Sequence, residues 1–243
     1  MNKSITYKAF GVRAILMEWP SKIAPEILNE IQTCKRAIQQ KFNSDLEDVI
    51  SGYCSLTLCF KIEIEAFPVV IENIQQLVNS IDPGIKHEQR TWCIPVCYHE
   101  KLGWDTQEVC ENLKVTAQEL IKKHSSARYP IYFIGFLPGF LYLGGLDAKL
   151  HLPRKATPRL QVPQGAVAIG GAQTGIYPSA SAGGWHIIGK TPIRLFDIEN
   201  TTPCFAQAGD YIQFEPVSLQ EYEHIQNQIK QGNYQLKSQV THD

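Results

Sequence analysis

The sequence lacks the features that would place the protein in a membrane or on an export route. No stretch approaches the roughly 20 consecutive apolar residues of a membrane-spanning helix. The opening residues, MNKSITYKAFG, contain no apolar core of the kind that a secretory signal has, so we expect no export. The formal net charge is only −1, which gives no indication of a nucleic-acid partner. We therefore expect a cytoplasmic protein that acts without nucleic acid or membrane.

Familiar catalytic and metal-binding spacings are also missing. The seven cysteines are odd in number and scattered, and no cysteine or histidine pair has the spacing of a zinc site with a partner pair. Several cysteines lie within apolar runs, as buried free thiols do, which agrees with a reducing compartment. The sequence contains no G-x-S-x-G motif of a serine hydrolase and no internal repeat. We predict no metal site, and the catalytic residues stay unknown.

Glycine is abundant in only one part of the chain. Eleven of the 17 glycines fall between Gly135 and Gly189, with prolines between them. Glycine permits positive φ and close backbone approach, whereas proline fixes φ and removes a donor. Because the stretch is also rich in β-branched and aromatic residues, it is typical of short strands joined by tight turns.

The same stretch carries most of the positive charge. From Arg128 to Asp197 there are seven lysines or arginines and two aspartates, a net charge of +5, so the rest of the chain carries −6. Positive charge beside glycine-lined backbone suits an anionic ligand such as a carboxylate or phosphate. The alternative is a basic β-domain without a site. The predicted substrate- or anion-binding residues are Arg154, Arg159, Gln173, Thr174, Tyr177, His186, Lys190 and Arg194.

Two of these residues belong to a repeated Pro-Arg element, Pro153-Arg154 and Pro158-Arg159. Proline restricts the backbone before each arginine, and the planar guanidinium matches a carboxylate or phosphate. Two ordinary surface arginines are the alternative. We rank Arg159 first and expect it to converge with Gln173 and Lys190 on one concave surface.

Apolar periodicity in the first third of the chain alternates between strand and helix. The predicted helices cover 25–42 and 69–81, and the strands cover 7–18, 49–64 and 87–98. With 49–64 divided at Gly52, this order predicts a ferredoxin-like sandwich. We place this α/β domain at residues 1–86.

Residues 87–243 are predicted to form a second domain, a β-barrel or sandwich. Capping boxes at Asp105 and Thr116 predict two helices, and 218–231 is predicted as a further helix. We expect fraying from Gln235 onward. The run GWHIIGKT matches the P-loop pattern, but PIRLF after it alternates like a strand, so we reject a nucleotide loop there. Residues 105–125 resemble a helix-turn-helix but carry four acids against three lysines, which favours a structural helical hairpin.

Four segments together resemble a known family: GFLPGFLYLGGLD, PRKATPRLQVP, GGAQTGIYP and GGWHIIGKTPIRLFD. They are similar to the B subunit of prokaryotic 5-oxoprolinase. That family also includes Kip-type inhibitors of a sporulation histidine kinase, proteins labelled allophanate hydrolase subunit 1, and one half of the carboxyltransferase region of urea carboxylases. The resemblance implies an α+β chain in which a cyclophilin-like β-barrel follows the small α/β domain.

The resemblance also implies an activity that is shared among subunits. It indicates the B subunit of an ATP-dependent 5-oxoprolinase, which opens 5-oxo-L-proline to L-glutamate together with a homologous C subunit and an A subunit. ATP with Mg²⁺ would act at the level of the complex. Two alternatives stay open: a regulatory protein that inhibits a sporulation-type histidine kinase, and a component of a urea- or allophanate-utilising hydrolase or carboxylase. Because the basic segment offers only His151 or His186 as a general base, we expect the chain alone to be inactive.

Overall fold

A computed structural model of the chain describes residues 4–82 and 88–242, and its backbone contacts divide the chain into two compact units, Met1–His87 and Glu88–Asp243. The predicted domain boundary between residues 86 and 87 lies outside the described residues. We propose that each unit is a separately folded domain. A protease-resistant fragment that starts near residue 87 would support this proposal.

The first unit contains one antiparallel sheet and two helices. Its elements are β1 (Thr6–Ala9), β2 (Ala14–Glu18), α1 (Pro25–Phe42), β3 (Leu46–Ser51), β4 (Ser55–Phe60) and α2 (Phe67–Ser80). Helix α1 begins with Pro25, which suits a first turn because the missing N–H would have no helical partner there. Ile27, Ile31 and Ile38 lie on its buried face, and alternate residues of β4 are buried beside them.

The sheet of the first unit differs from the predicted one in a single strand. Its order is β1-β2-β4-β3. The segment 7–18 forms a hairpin of β1 and β2, and β1 takes the edge position beside β2 that the strand after α2 takes in a ferredoxin-like sandwich. The predicted strand at 87–98 is therefore not part of this sheet. It pairs with strands of the second unit instead.

The second unit is built mainly from short strands, as the glycine spacing predicts. Its elements are β5 (Glu88–Val96), α3 (Thr106–Leu113), α4 (Ala117–Ser126), β6 (Arg128–Ile134), β7 (Leu141–Leu143), β8 (Arg159–Val162), β9 (Ala166–Gly170), β10 (Gln173–Ile176), β11 (Ser181–Gly183), β12 (His186–Lys190), β13 (Tyr211–Pro216), α5 (Leu219–Lys230) and β14 (Ser238–His242). A short 3-10 turn covers Ala148–Leu150.

Eight of these strands form one sheet in the order β12-β9-β10-β7-β6-β13-β5-β14. Strand β13 is parallel to β5, and the other pairings are antiparallel. Two hydrogen bonds between Cys97, just after β5, and Lys190 of β12 bring distant strands of the sheet together. The predicted α+β class is confirmed. One bridge is not a full ladder, so the cyclophilin-like barrel stays a prediction.

The helices of the second unit follow their capping signals with one exception. Thr116 caps α4 and Ser218 caps α5, each through a complete capping box with the glutamate three residues later. Asp105 precedes α3 but forms no side-chain cap. The prediction that the chain frays from Gln235 onward is wrong, because β14 pairs with residues 88–92 of β5.

Two motif interpretations can be compared with the structure directly. Strand β12 occupies the P-loop match and no helix follows it within 191–217, so the rejection of a nucleotide loop is confirmed. Strand β12 pairs with β9, and in PIRLF only Phe196 forms a β-bridge, so the strand expected there is wrong. Helices α3 and α4 form the expected helical pair. Within the described residues, no helix has both the length and the apolar character to cross a membrane.

Candidate functional site

The second unit has a cleft of about 230 Å³ beside the short ribbon that β8 and β11 form. Aromatic rings supply much of its wall and two basic side chains line it as well. The rings belong to Phe136, Phe140, Tyr142, Tyr177 and Trp185, and the basic side chains to Arg154 and Lys155. Such a combination suits a small ligand with an apolar body and a negative charge.

Glycines let the aromatic rings lie directly against the backbone. A Cβ atom at Gly170 would lie 2.6 Å from Cδ1 of Trp185, and one at Gly183 would overlap the hydroxyl of Tyr177. Any larger residue at these two positions would displace the rings that form the wall. The glycine-rich sequence therefore shapes the cleft as well as the turns.

One residue at the cleft has an unusual backbone. Phe136 has φ 67° and leaves 66% of its surface exposed, although bulky residues rarely adopt the left-handed conformation. Its ring lies edge-on to Phe140, with centroids 5.6 Å apart and planes at 90°. Strain of this kind, together with an exposed aromatic ring, is typical of functional loops.

A buried ionic cluster lies next to the cleft, with Asp105 at its centre. The Asp105 side chain is 2% exposed and accepts two hydrogen bonds from Arg159, at 2.9 and 2.5 Å. Its carboxylate also accepts the backbone N–H of Ile187 at 2.7 Å and lies 3.1 Å from Nζ of Lys155. The same Nζ is 2.5 Å from Glu108. Asp105 thereby ties α3 to β8, to β12 and to the Pro-Arg loop.

Two side chains of this cluster, Asp105 and Lys155, have shifted pKa values. Burial by itself would raise the pKa of Asp105, but hydrogen bonds from Arg159, the Ile187 amide and Lys155 outweigh it and lower that pKa. Burial would lower the pKa of Lys155, and its bonds to Glu108 and Asp105 outweigh this and raise it. Both groups are therefore charged at neutral pH.

His186 lies in the same region and is buried. One ring nitrogen, Nε2, is 2.9 Å from the carbonyl oxygen of Pro153, which requires Nε2 to be the donor. The other, Nδ1, is 3.7 Å from Glu108, too far for a hydrogen bond, and has no hydrogen-bond partner among the described residues. His186 holds the backbone of the first Pro-Arg element in place.

The structure brings some of the predicted site residues together and separates others. Arg154 and Tyr177 line the cleft, while Arg159 and His186 lie in the ionic cluster. The lining of this cleft includes neither Arg159 nor Gln173 nor Lys190 within the described chain, so this cleft is not the shared concave surface expected for them. Arg159 differs from expectation because Asp105 occupies its guanidinium fork.

The remaining predicted residues have other positions. The Thr174 hydroxyl is wholly buried, where it donates to the carbonyl of Ala168 and bonds Nε2 of His124 at 2.7 Å. Gln173 begins β10, Lys190 takes part in the bridge to Cys97, and Arg194 pairs with Asp197 at 2.8 Å. A ligand role for these residues stays a prediction, and for Thr174 the core position opposes it.

Sequence reasoning missed the acidic half of the cluster and, apart from Tyr177, the aromatic wall. Asp105 and Glu108 have the spacing of a capping box, which concealed their contacts with residues about fifty positions later. Lys155 is also absent from the predicted residues, although it follows Arg154 directly and the Pro-Arg element could have indicated it. No group of three or more residues able to hold a metal ion occurs in the described part of the chain.

Comparison with known proteins agrees with this architecture. The model of the family described as carboxyltransferase domain, subdomain C and D, matches residues 5–206. The chain is 41% identical to the 5-oxoprolinase B subunit of Haemophilus influenzae over 178 residues, which cover 73% of this chain and 83% of that protein. It is 30% identical to the 5-oxoprolinase B subunit of Bacillus subtilis over 222 residues, which cover 87% of this chain and 92% of that protein.

A solved structure extends the likeness at the level of the fold. The urea carboxylase of Kluyveromyces lactis matches 98% of this chain with a TM-score of 0.78 and 17% sequence identity. This chain spans only 24% of the carboxylase. At that identity the match shows a shared fold alone, one that the carboxylase embeds in a much longer polypeptide.

Proposed function

The chain belongs to the family of carboxyltransferase subdomains C and D and is a relative of the 5-oxoprolinase B subunit, and from this membership we propose that it is the B subunit of an ATP-dependent 5-oxoprolinase. The observation that carries the proposal is the identity of 30–41% with three proteins of that one name. The complex would open 5-oxo-L-proline to L-glutamate. Its other members would be a homologous C subunit and an A subunit.

The geometry of the cleft supports a share in this reaction. Opening a lactam breaks a resonance-stabilised amide, and ATP with Mg²⁺ supplies the activation at the level of the complex. The chain's own contribution is to bind and orient. Arg154 offers positive charge to an anionic substrate, and the aromatic rings of the lining give it an apolar wall.

The described lining of the cleft does not provide a complete acid–base set. Within the described residues, the cleft lining contains no carboxylate and no imidazole. His186 is close in sequence to Trp185, but its Nε2 is committed to Pro153 and its Nδ1 is buried. A general base would therefore come from another member of the complex, which agrees with a chain that is inactive alone.

The size of the cleft bears on where ATP binds. Pockets for drug-sized ligands have volumes of roughly 300–1,000 Å³, and a nucleoside triphosphate belongs to that size class. A cleft of about 230 Å³ does not fit it. In this proposal the nucleotide binds elsewhere than in this cleft, and the small cleft serves the lactam side of the reaction. The seven free cysteines are compatible with a cytoplasmic location, which we propose as well.

Reconstitution tests the proposal. The chain, a homologous C subunit and an A subunit are purified separately and combined, and ATP hydrolysis and glutamate formation are followed with and without 5-oxo-L-proline. We expect activity that depends on 5-oxoproline only in the full mixture. Full activity of the chain alone, or none in any mixture, would contradict the proposal.

The two alternatives can be tested with the same preparations. Urea or allophanate replaces 5-oxoproline in one assay, and autophosphorylation of a sporulation-type histidine kinase is measured with added chain in another. The likeness to urea carboxylase is confined to the fold and favours neither alternative over the main proposal.

A further inference from the structure

The charge balance at the cleft singles out one arginine. Lys155 is neutralised by Asp105 and Glu108, and Arg159 is neutralised by Asp105. For Arg154, by contrast, no carboxylate of the described residues lies within ion-pair distance. Arg154 therefore brings a positive charge to the cleft that the described part of the protein leaves uncompensated.

Two contacts hold Arg154 at the wall. Its guanidinium carbon lies 5.8 Å from the ring centroid of Trp185, within the range of a cation–π interaction. The backbone N–H of the next residue, Lys155, donates to the carbonyl of Gly184 at 2.7 Å, and Gly184 precedes Trp185. The arginine is thus positioned without an acidic partner, which leaves its hydrogen-bond donors available to a ligand.

The wall facing Arg154 selects a compact apolar body. Rings of Phe140 and Trp185 lie edge to face with centroids 5.8 Å apart, and Tyr177 lies edge to face with Phe140 at 5.7 Å. Burial raises the pKa of Tyr177, so its hydroxyl stays neutral at physiological pH. A single small ring fits this enclosure of about 230 Å³.

The charged groups of the cleft lining discriminate between a lactam and its opened product. The lactam of 5-oxoproline has one carboxylate and no other charge. Glutamate has two carboxylates and an ammonium group, which needs an acidic partner once it leaves water. Because the described lining contains one uncompensated cation and no carboxylate, the cleft matches the lactam and mismatches the product.

We propose that this cleft is the binding site for the lactam substrate, with Arg154 as the anchor for its carboxylate and the rings of Phe140, Tyr177 and Trp185 as the enclosure for its five-membered ring. Phe136, whose side chain is largely exposed, lines the same cleft. The inference rests on the proposed function and adds to it which member of the complex holds the substrate, by which residue, and why the product leaves.

The test compares Arg154→Gln with a matched arginine variant. Arg13→Gln removes an exposed arginine from the first unit. Binding of 5-oxo-L-proline and of L-glutamate to the chain is measured by isothermal titration, and the KM for 5-oxoproline is measured in the reconstituted complex. Thermal unfolding of each variant confirms that it is folded.

We expect Arg154→Gln to weaken lactam binding, or to raise KM in the complex, at least tenfold, and Arg154→Lys to restore part of it. Arg13→Gln should leave both unchanged, and glutamate should bind at least tenfold more weakly than the lactam. If the complex turns over 5-oxoproline while Arg154→Gln changes neither binding nor KM, this inference is overturned and the proposed function stands.

Failure of the proposed function would give a different set of results. If the chain binds 5-oxoproline through Arg154 but no mixture of the purified proteins hydrolyses ATP with it, the proposed function fails and the lactam site stands. Equal binding of glutamate and 5-oxoproline overturns the discrimination argument, and with it the assignment of the cleft to the substrate.

Discussion

Arg154 and Arg159 each follow a proline within one seven-residue stretch, and the fold uses them in opposite ways. Arg159 is locked by two hydrogen bonds to the buried carboxylate of Asp105. Arg154 lies over Trp185 at the cleft, and no described carboxylate compensates its charge. The difference is made by the partner that the fold brings near, since the local sequence around the two residues is almost the same. We therefore interpret Arg159 as a structural cross-link, and Arg154 is the arginine that we propose as a ligand anchor.

The largest effect on stability is expected at Asp105, the acid that pairs with Arg159 and not with Arg154. Asp105→Ala leaves Arg159 and Lys155 without their common partner, which should cost about 2–3 kcal/mol, at or below the lower end of the range for a broken buried pair. We take the lower end because the side chains of Arg159 and Lys155 are 28% and 15% exposed, so water can partly solvate them when Asp105 is removed. Urea unfolding of the second unit measures the change.

The matched control for Asp105 is Asp197→Asn. Asp197 pairs with an arginine whose side chain is 62% exposed, and such pairs contribute less than about 1 kcal/mol. Comparable losses in the two variants would contradict the view that the Arg159 pair is a structural cross-link.

The second effect concerns the core beneath the sheet and depends on pH. His124 is fully buried, accepts from the Tyr98 hydroxyl at 2.7 Å and stacks on Phe214 at 4.4 Å. Burial lowers its pKa from 6.5 to about 3. Between these pH values His124 is protonated in the unfolded chain and neutral in the folded chain. Its contribution to stability is therefore fully present above about pH 6.5 and decreases as the pH falls toward 3.

At pH 5 the loss from His124 should be about 2 kcal/mol, since each pKa unit corresponds to about 1.4 kcal/mol. Urea midpoints at pH 7.5 and pH 5 measure it in the wild type and in His124→Gln, which should lose most of this dependence. His224→Gln, on the exposed face of α5, should keep it. A wild-type slope that survives His124→Gln would refute the assignment.

The two arginines themselves should give opposite results in one pair of assays. Arg159→Gln should lower the free energy of unfolding by about 1–2 kcal/mol, because it leaves the buried Asp105 short of donors. Arg154→Gln should change stability by less than about 0.5 kcal/mol, as surface substitutions do, and should act on 5-oxoproline binding instead. If Arg154→Gln unfolds the chain as strongly as Arg159→Gln, the contrast between them is lost.

The smallest effect is expected at Phe136. A left-handed conformation costs a residue with a side chain about 1–2 kcal/mol, and glycine removes this cost. Glycine also raises the entropy of the unfolded chain, which destabilises the folded state by about 0.5–1 kcal/mol. Phe136→Gly should therefore stabilise the chain by up to about 1.5 kcal/mol and weaken lactam binding a few-fold. Lys114→Gly is the control, since Lys114 has φ 54° at the end of α3 and does not line the cleft. It should stabilise without changing binding.

Much of the secondary structure follows from local patterns in the chain. The periodicity over 25–42 predicts α1 with the bounds that the structure shows, and the capping box at Thr116 predicts the start of α4. Glycine and proline between Gly135 and Gly189 predict the short strands of the second unit. These signals are readable because caps, turns and periodicity involve residues within a few positions of one another.

Pairing over long distances is where the predictions fail. Residues 87–98 have the composition of a strand, but whether that strand joins the first sheet or the second depends on partners in β13 and β14, more than a hundred residues later. Asp105 has the spacing of a cap and instead meets Arg159, 54 residues along the chain. Neither outcome is encoded in neighbouring residues.

The candidate site shows the same division. The composition of the segment from Arg128 to Asp197 is enough to indicate an anion-binding surface, and the Pro-Arg repeat is enough to name Arg154 and Arg159. Which of the two arginines is neutralised depends on where the fold places Asp105. Local sequence sets backbone preference and the kinds of charge available, whereas the pairing of charges depends on distances in space, and those arise only when the strands and helices are packed together.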